Sequence, residues 1–417
     1  MDITTPSYQP PKKYRFVIAG LIGTIMFCVG LSFFSVAPIM PLILEEYSIS
    51  RGTGSLLTSL VILVQAMFSL LGGLLAGLLR PRKVILFGCI LISAPVLTFA
   101  LGNFWLLLLS RVLMGLGFGI LGPATIPILM QYFRPKELPL VNSLIMSISV
   151  LGITISSLSV AKISDSIGWE QALSVFGSAA LLSAVLWLFF GHVEDITNTD
   201  ITTNKKIRQA ISVIRKKETV ILSSADGGAF GQYVALVAWL PTFYFEFHGL
   251  SLIRAGVLVS LLPLVGCLSG FMAGILSMKY SARKPFLIAS GAMVSLGGLG
   301  SFLTAGTPLV YPSLLLLGAG SWLYVPFLLT IPMELPGNDP ARAAMMTGVI
   351  FAIGGLVGFA SPLTVGILTD ATGTYLPGFV TCSVLSLGLL LGGLLISEPS
   401  ELSTNRQVNM SDQKQCT

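Results

Sequence analysis

Ionisable residues are scarce in this sequence. Only 10% of its 417 residues are charged, and it has two histidines and five cysteines, whereas about a quarter of the residues of a typical soluble protein carry a charge. The cysteines lack the spacing of a metal site or of a disulfide framework. No nucleophile–base arrangement and no phosphate-binding glycine loop is evident. We therefore expect no enzyme activity, no cofactor and no bound metal.

Basic residues outnumber acidic ones, and the formal net charge is +6. They lie between long apolar stretches, a distribution typical of membrane topology rather than of nucleic-acid binding. We therefore expect a lipid bilayer and a small molecule as partners, and no nucleic acid.

Long apolar stretches make up most of the chain, which is 54% hydrophobic and has a mean hydropathy of +0.87. A helix needs about 20 apolar residues to cross a hydrocarbon core of about 30 Å. The stretches predict an all-α membrane protein with twelve spans, six on each side of a polar segment. The predicted spans are 16–43, 54–79, 84–101, 104–132, 138–162, 169–190, 219–246, 252–278, 285–304, 311–333, 343–368 and 376–396.

The basic residues also predict the orientation of these spans. With the N-terminus in the cytoplasm, most of the 24 Lys and Arg residues fall on the cytoplasmic side, and a shift by one span would remove this bias. We predict a multi-pass protein of the plasma (inner) membrane with both termini in the cytoplasm. The predicted units are an N-terminal six-helix bundle (1–190), a cytoplasmic linker (191–218), a C-terminal six-helix bundle (219–396) and a cytoplasmic tail (397–417).

The two halves repeat each other at an offset of about 200 residues. The stretch "RKVIL" from Arg82 corresponds to "RKPFL" from Arg283, and "SDSIG" from Ser164 corresponds to "TDATG" from Thr369. A third match pairs Gly115, Gly117 and Pro123 with Gly318, Gly320 and Pro326. Matches that keep the same order indicate a duplicated six-helix unit, which is how two-bundle secondary transporters are built.

Two motifs resemble those of the major facilitator superfamily. The stretch "GGLLAGLLRPRKVI" from Gly72 resembles the family's loop between helices two and three, and Gly73, Arg82 and Lys83 match its glycine-rich helix end and basic cluster. The stretch "RVLMGLGFG" from Arg111 resembles the second motif of the family, an arginine followed by spaced glycines. The resemblance covers essentially the full length. It implies two pseudo-symmetric six-helix bundles that rock about a central site, and we expect a monomer.

The predicted gating loops depart from the family pattern. Gly77 stands where the family has an aspartate, and Leu78 stands where it has an arginine. The acidic half of a charge relay is therefore missing. The gating-loop candidates are the matching residues of both halves: Gly73, Arg82, Lys83, Arg283 and Lys284.

A narrower resemblance lies in the stretch from Met333 to Gly373, which is similar to the cyanate permease group. That resemblance implies a carrier of small anions or small polar organic molecules. The group tends to carry an arginine in the first helix, but the stretch "LSFFSVAPIMP" from Leu31 has no charge. The resemblance therefore implies the architecture and leaves the substrate open.

Arg111 and Asp226 are the ionisable residues that lie well inside predicted spans, where each costs at least about 2.5–3.5 kcal/mol and usually marks a pathway. The family resemblance implies that they lie on helices four and seven, which line the cavity together with helices one and ten. Their predicted depths differ by about 10 Å, so we expect no direct salt bridge between them.

Asp226 is the candidate for proton coupling, because removal from water disfavours the ionised form of a carboxyl group. Alternatively, it caps a helix broken at Gly227 and Gly228 or lies in interfacial water. Arg111 belongs either to the substrate or proton path or to a structural set of hydrogen bonds with carbonyls. Tyr233 shares the helical face of Asp226. The further candidates for the substrate cavity are Gln65, Trp322 and Tyr324.

These features predict a secondary active transporter that moves a small solute by alternating access. We expect a symporter, in which protons drive uptake or exchange of a small anionic or neutral organic molecule. With Arg111 as the only basic group of the cavity, dianions and sugar phosphates rank lower. Two alternatives remain open: a drug or metabolite efflux antiporter that exchanges protons, and a non-transporting sensor or assembly factor on a transporter scaffold.

Overall fold

The computed structural model describes residues 14–78, 80–100, 102–134, 137–193, 216–280, 282–335 and 340–396. Most of the predicted linker and the whole predicted tail lie outside these ranges, as do the side-chain surroundings of residues 70–79. The described residues form helices and their connections and contain no strand.

In the first half, successive spans run in opposite directions, and the first two helices belong to the same span. A 3-10 turn at Ala37–Ile39 separates the first two, and another at Ala94–Ala100 follows the fourth. The helices are α1 (Tyr14–Phe33), α2 (Met40–Tyr47), α3 (Arg51–Leu78), α4 (Pro81–Ile92), α5 (Phe104–Tyr132), α6 (Leu138–Ile167) and α7 (Trp169–Phe190).

The second half follows the same up-and-down course. Its helices are α8 (Lys217–His248), α9 (Leu252–Lys279), α10 (Lys284–Leu303), α11 (Val310–Leu323), α12 (Val325–Glu334), α13 (Pro340–Thr372) and α14 (Leu376–Leu395).

Twelve segments of the described chain are long and apolar enough to cross a bilayer, which is the predicted number. The first span joins α1, the 3-10 turn and α2, and the tenth joins α11 and α12. Several spans are longer than predicted: the first covers Tyr14–Tyr47, α6 continues to Ile167, α8 covers Lys217–His248, and α13 covers Pro340–Thr372.

Two spans are interrupted, the first about two thirds of the way along and the tenth near its middle. In the first, α1 ends at Phe33, and Pro38 lies at the start of the 3-10 turn that follows. In the tenth, Pro326 lies at the start of α12. Because proline has no backbone N–H, it cannot bond the carbonyl four residues earlier, here that of Trp322. Such irregular backbone is tolerated at membrane depth only inside protein or beside a cavity.

Close helix packing holds each half together. In the first half α5 packs along α3, where a Cβ added to Gly115 would lie 2.7 Å from the Val61 carbonyl oxygen. In the second half α8 packs between α13 and α14. The halves meet where α3 packs on α13 and α6 packs on α9. The central residues therefore lie between two six-helix bundles.

The molecule has two ends, between which the spans run. The "basic end" contains the first residues of α1, α4, α8 and α10. The "latch end" is opposite and contains the first residue of α3 and the last residues of α8 and α13. Successive spans run between these ends in alternating directions.

Candidate functional site

Arg111 lies on α5 and is fully buried. Its guanidinium donates hydrogen bonds from Nη1 to the carbonyl of Ser32 (2.6 Å), from Nη2 to that of Phe33 (2.6 Å) and from Nε to that of Leu57 (3.2 Å). Ser32 and Phe33 are the last residues of α1, whose terminal carbonyls have no partner within the helix. Arg111 therefore caps the interrupted first span from a neighbouring helix, a position where positive charge is favourable.

The charge of Arg111 is stabilised by carbonyl dipoles, which carry no net charge, and not by a carboxylate. Among the described residues, no carboxylate lies within salt-bridge distance of it. In particular, no bridge to Asp226 is present, as the difference in depth predicts. The first half therefore contributes positive potential to the middle of the molecule.

Asp226 is 5% exposed and lies on α8. This helix is continuous from Lys217 to His248, so the alternative of a helix broken at Gly227 and Gly228 does not apply. The hydroxyl of Tyr324 donates a hydrogen bond to Asp226 Oδ1 (3.0 Å). Tyr324 is the residue between α11 and α12, so the carboxyl group contacts the interruption of the tenth span.

Gly354 of α13 covers the other carboxyl oxygen. A Cβ added to Gly354 would meet Asp226 Oδ2 more closely than real Cβ atoms approach any neighbour. The carboxyl group is therefore enclosed by α8, α13 and the junction of α11 and α12.

An aromatic cluster lies where the two halves meet. The ring of Tyr233 meets that of Phe34 at 6.5 Å and that of Trp322 at 6.1 Å, both edge to face. Phe33 extends the cluster to Phe118 of α5, at 5.5 Å. Spans one, four, seven and ten thus all contribute to it, as the family resemblance implies for the cavity.

Two polar atoms in this cluster lack partners. The Tyr233 hydroxyl and the Trp322 indole nitrogen are both buried and make no hydrogen bond to the described chain. The two groups are close enough to interact electrostatically, but their geometry does not meet that of a hydrogen bond. A phenol hydroxyl both donates and accepts hydrogen bonds. Even if the Trp322 indole N–H donates to the Tyr233 oxygen, the Tyr233 hydroxyl can still donate its own hydrogen. The cluster therefore offers donors to a ligand that carries acceptors.

Tyr233 and Trp322 lie close to the membrane centre. Tyr233 is one of the two middle residues of α8, and Trp322 is the middle residue of the tenth span, Val310–Glu334. Central sites of two-bundle transporters lie at this depth, at the interface of the repeats.

At the latch end, Arg51 connects the two bundles. Its Nη2 lies 2.9 Å from Glu246 Oε2 on α8, its Nη1 lies 3.9 Å from Asp370 Oδ1 on α13, and its Nε donates to the Tyr375 hydroxyl (3.0 Å). Asp370 also accepts hydrogen bonds from the backbone N–H groups of Arg51 (3.0 Å) and Gly52 (2.7 Å). We call these four side chains, Arg51, Glu246, Asp370 and Tyr375, the latch.

Tyr375 acts as both donor and acceptor in the latch. Its hydroxyl donates to Glu246 (3.1 Å) while it accepts from Arg51. Burial, and then the nearby Glu246 carboxylate, raises the pKa of Tyr375. The hydroxyl therefore keeps its proton and its donor role at physiological pH.

The predicted gating residues make their described contacts within their own halves. Arg82 donates to the Leu188 carbonyl (2.6 Å), between α4 and α7. Arg283 forms a two-point ion pair with Glu334, from Nε (3.2 Å) and from Nη2 (2.6 Å). Lys83 is exposed, and Lys284 begins α10. The surroundings of Gly73 lie outside the described part of the chain.

Gln65 lies apart from the contacts of the aromatic cluster. It is half-buried on α3, and its backbone carbonyl packs against Gly119 of α5. The structure thus groups Tyr233 with Trp322 and Asp226 with Tyr324, and it places Arg111 beside the end of α1.

Sequence reasoning missed Phe33 and Phe34, and it missed the latch. The two phenylalanines precede Pro38, and a proline inside an apolar run was the available signal, although Pro241 and Pro263 lie inside continuous helices. Asp370 lies in the repeated "TDATG" stretch, which indicated a duplicated position but not its partner across the bundle interface.

A sequence model described as the Major Facilitator Superfamily matches residues 22–362. The probable sulfoacetate transporter SauU of Cupriavidus necator is 24% identical over 403 residues, which cover 91% of this chain and 93% of that protein. The cyanate transport protein CynX of Escherichia coli is 26% identical over 365 residues, which cover 86% of this chain and 91% of that protein.

The fold is similar to that of a solved bacterial homolog of the human lysosomal transporter Spinster, in an inward-facing and unoccupied conformation. The TM-score is 0.70 at 18% identity, over 95% of this chain and 96% of that one. The predicted fold class and family are confirmed. This chain is a multi-pass membrane transporter, not an enzyme, and it belongs to the major facilitator superfamily.

Proposed function

We propose that this transporter couples protons to the uptake or exchange of a small anionic solute, which binds at the aromatic cluster between the two bundles. The unpartnered Tyr233 hydroxyl and Trp322 indole N–H are the observation that carries this proposal. A buried donor without an acceptor costs about 1–3 kcal/mol. An anion or a carbonyl-bearing solute supplies the missing acceptors.

The buried charges favour an anion when Asp226 is protonated. Arg111 has no carboxylate partner among the described residues, while Asp226 is hydrogen-bonded to one hydroxyl. With Asp226 ionised, the two charges oppose each other. With Asp226 neutral, Arg111 leaves the centre positive, so proton and anion binding favour each other and the coupling is reciprocal.

The relatives support the same chemistry. Cyanate is a monoanion and sulfoacetate is a dianion at neutral pH, so the names of these two relatives support an anionic solute but not a particular charge. A single buried cation suits a monoanion better than a dianion, because the second negative charge would lie in a low-dielectric centre without a partner. We therefore rank monoanions and neutral acceptor-bearing solutes above dianions for this chain.

A second candidate is efflux of a lipophilic cation. Aromatic rings attract cations through their faces, and Phe34, Tyr233 and Trp322 lie on the same side of α8 as the Asp226 carboxyl group. Ionised Asp226 would then balance the cation directly. The buried charge of Arg111 works against this assignment.

Alternating access requires the latch to open. We propose that the basic end faces the cytoplasm of the cell, that the protein works as a monomer in the plasma membrane, and that 1–190 and 219–396 move as two bundles. The latch closes the opposite, extracellular end. Rocking of the bundles exposes the aromatic cluster to each side in turn.

Counterflow of [14C]cyanate into proteoliposomes, together with a thermal-shift titration of the purified protein, tests the proposal. Tyr233→Phe and Trp322→Phe each remove one donor and are expected to weaken cyanate binding by about tenfold or more. Tyr311 and Trp105 are exposed on the outer surface, so Tyr311→Phe and Trp105→Phe are matched controls. Binding that is unchanged in both cluster variants would overturn the site.

Asp226→Asn tests the coupling. The wild type is expected to bind cyanate more tightly at acidic than at neutral pH, and the variant is expected to lose that difference because its side chain cannot titrate. Stabilisation by lipophilic cations, stronger at neutral than at acidic pH, would instead establish the efflux assignment.

A further inference from the structure

Three polar residues share one face of α8 between its first turn and Asp226. Thr219, Ser223 and Asp226 are spaced by four and three residues, the spacing of neighbours along a helix surface. Their exposures are 1%, 2% and 5%. The hydroxyls of Thr219 and Ser223 have no hydrogen-bond partner among the described residues.

These two hydroxyls differ from those of Ser361 and Thr364 in the same bundle, and they share their lack of a partner with Thr242, Ser290 and Ser295. Serine and threonine side chains inside helices usually bond back to the carbonyl four residues earlier, as Ser361 and Thr364 do on α13. Ser223 leaves that option unused, and Thr219, as the third residue of α8, has no carbonyl of the helix four residues earlier. A buried hydroxyl without a partner costs about 1–3 kcal/mol, and ordered water is the usual partner of such groups.

The spacing suits a file of alternating hydroxyls and waters. Residues three or four apart on a helix have Cβ atoms about 5–6 Å apart, and the hydroxyls of Thr219 and Ser223 form no direct hydrogen bond with each other or with Asp226. Two hydrogen bonds of about 2.8 Å through one water cover that distance. One water between Thr219 and Ser223, and one between Ser223 and Asp226, would satisfy every member.

The file begins at the basic end and has a polar opposite wall. Thr219 is the third residue of α8, after Lys217 and Glu218, which lie at the mouth. On α13, Gly354 contacts Asp226, and Thr347 lies seven residues earlier on the same face. The Thr347 hydroxyl is also buried and without a partner in the described chain.

We propose that Thr219 and Ser223 hold a hydrated file that carries protons between the cytoplasm and Asp226. The inference rests on the proposed proton coupling. A proton enters at the mouth as hydronium, and each water or hydroxyl accepts one proton and passes on another. The last transfer turns the Asp226 carboxylate into a carboxylic acid, and the reverse sequence releases the proton.

Infrared spectroscopy measures proton exchange between Asp226 and the solvent, and it needs no substrate. In the reconstituted protein at acidic pH, the carboxylic acid band that Asp226→Asn removes is assigned to Asp226, and its shift after transfer to D2O measures proton exchange. Thr219→Val and Ser223→Ala are each expected to slow that exchange several-fold. Thr219→Ser keeps a hydroxyl and should restore it. Ser224, the exposed neighbour on the adjacent face, gives the control Ser224→Ala.

A flux measurement gives a second readout. In proteoliposomes loaded with a pH-sensitive dye, the ratio of proton flux to [14C]cyanate exchange should fall several-fold in Thr219→Val and in Ser223→Ala. The two variants are independent, so one that fails to fold leaves the other as a test.

The outcomes separate this inference from the proposed function. If no band is assigned to Asp226, its proposed proton coupling fails, and the file fails with it. If the band is present but exchanges equally fast in both hydroxyl variants and in wild type, the file is overturned while the coupling stands.

Discussion

Each half of this transporter holds one buried charge against an interrupted helix, but the halves do so in opposite ways. In the first half, Arg111 lies on the continuous α5 and caps the interrupted first span. In the second half, Asp226 lies on the continuous α8 and contacts Tyr324 at the interruption of the tenth span. In the duplicated sequence, α5 corresponds to the tenth span and α8 corresponds to the first span. In each half, the buried charge therefore lies on the helix whose counterpart in the other half is interrupted.

The number of hydrogen bonds explains why the two charges serve different purposes. Arg111 donates to three carbonyls from two helices, and an arginine keeps its proton under all physiological conditions. Asp226 accepts from one hydroxyl and can exist in two protonation states. We infer that the first half provides a fixed positive charge, whereas the second half provides the group that changes its protonation state.

Removing Arg111 should have the largest effect. Arg111→Leu leaves the Ser32 and Phe33 carbonyls buried without donors, at about 1–3 kcal/mol each, so we expect a loss of about 3 kcal/mol or more in unfolding free energy. Arg111→Lys keeps the charge but not the three-way geometry and should be intermediate. Thermal unfolding in detergent measures both.

Asp226→Asn should change stability little by comparison, because the Tyr324 hydroxyl can still donate to the amide oxygen. If Arg111→Leu were as stable as Asp226→Asn and lost only cyanate binding, both charges would be functional groups, and the contrast between the halves would be wrong.

Gly354→Ala tests whether Asp226 is the group of the second half that changes its protonation state. Gly354→Ala forces a methyl group against Asp226, and overpacking of this kind costs about 1–3 kcal/mol. The Asp226 carboxyl should be displaced, and the pH dependence of cyanate binding should weaken. Gly348 lies on the same helix with no atom within 4 Å of an added Cβ, so Gly348→Ala is the matched control and should be neutral or slightly stabilising. If Gly354→Ala and Gly348→Ala had equal effects, the cause would be the replacement of a glycine in α13 and not the contact with the Asp226 carboxyl group.

The spans and both buried charges could be predicted because their signals are local in sequence. Runs of apolar residues determine where helices cross, and Arg111 and Asp226 are conspicuous within such runs. The prolines at 38 and 326 were visible too, and proline removes a helical hydrogen bond wherever it falls. Proline alone did not identify the interrupted spans, however, because Pro123 of α5 and Pro241 of α8 lie inside continuous helices.

The partners of these charges could not be predicted in the same way. Arg111 bonds to backbone carbonyls of Ser32 and Phe33, and every residue has a carbonyl, so the sequence carries no mark of the chosen ones. The roles proposed for Thr219 and Ser223 depend on the absence of hydrogen-bond partners for their hydroxyls, which only the packed structure reveals. The latch joins residues more than 190 positions apart in sequence, such as Arg51 and Glu246.

The latch should have a moderate effect, mainly on conformation. Arg51→Gln removes the ion pairs with Glu246 and Asp370, whose side chains are 22% and 28% exposed, so we expect about 1 kcal/mol, or about a fivefold shift towards opening of this end. Spin labels placed on the latch-end tips of α3 and α13 would report the distance. A distribution identical to that of the wild type would mean that packing, not the latch, holds the two bundles together at this end.

The smallest effects concern ion pairs at the basic end, where the halves again differ. In the second half Glu334 forms a two-point pair with the buried Arg283, and Glu334→Gln should cost about 0.5–1 kcal/mol in unfolding free energy. In the first half the Arg134 backbone N–H, and then the Arg15 guanidinium, hold the pKa of Glu137 below its ordinary value. The contribution of Glu137 is therefore complete above that ordinary value and is lost as the pH falls through the lowered one.

Glu137 and Glu334 have similarly exposed side chains, but Arg15 is 31% exposed whereas Arg283 is 8% exposed. Because an exposed ion pair contributes little, Glu137→Gln should leave thermal stability at neutral pH almost unchanged. Comparing the unfolding temperatures of the two variants from neutral to acidic pH tests the difference between the pairs. An effect of Glu137→Gln as large as that of Glu334→Gln would show that the first half also depends on its ion pair at this end. The fixed part of that half would then extend from the Arg111 cap to the start of α6.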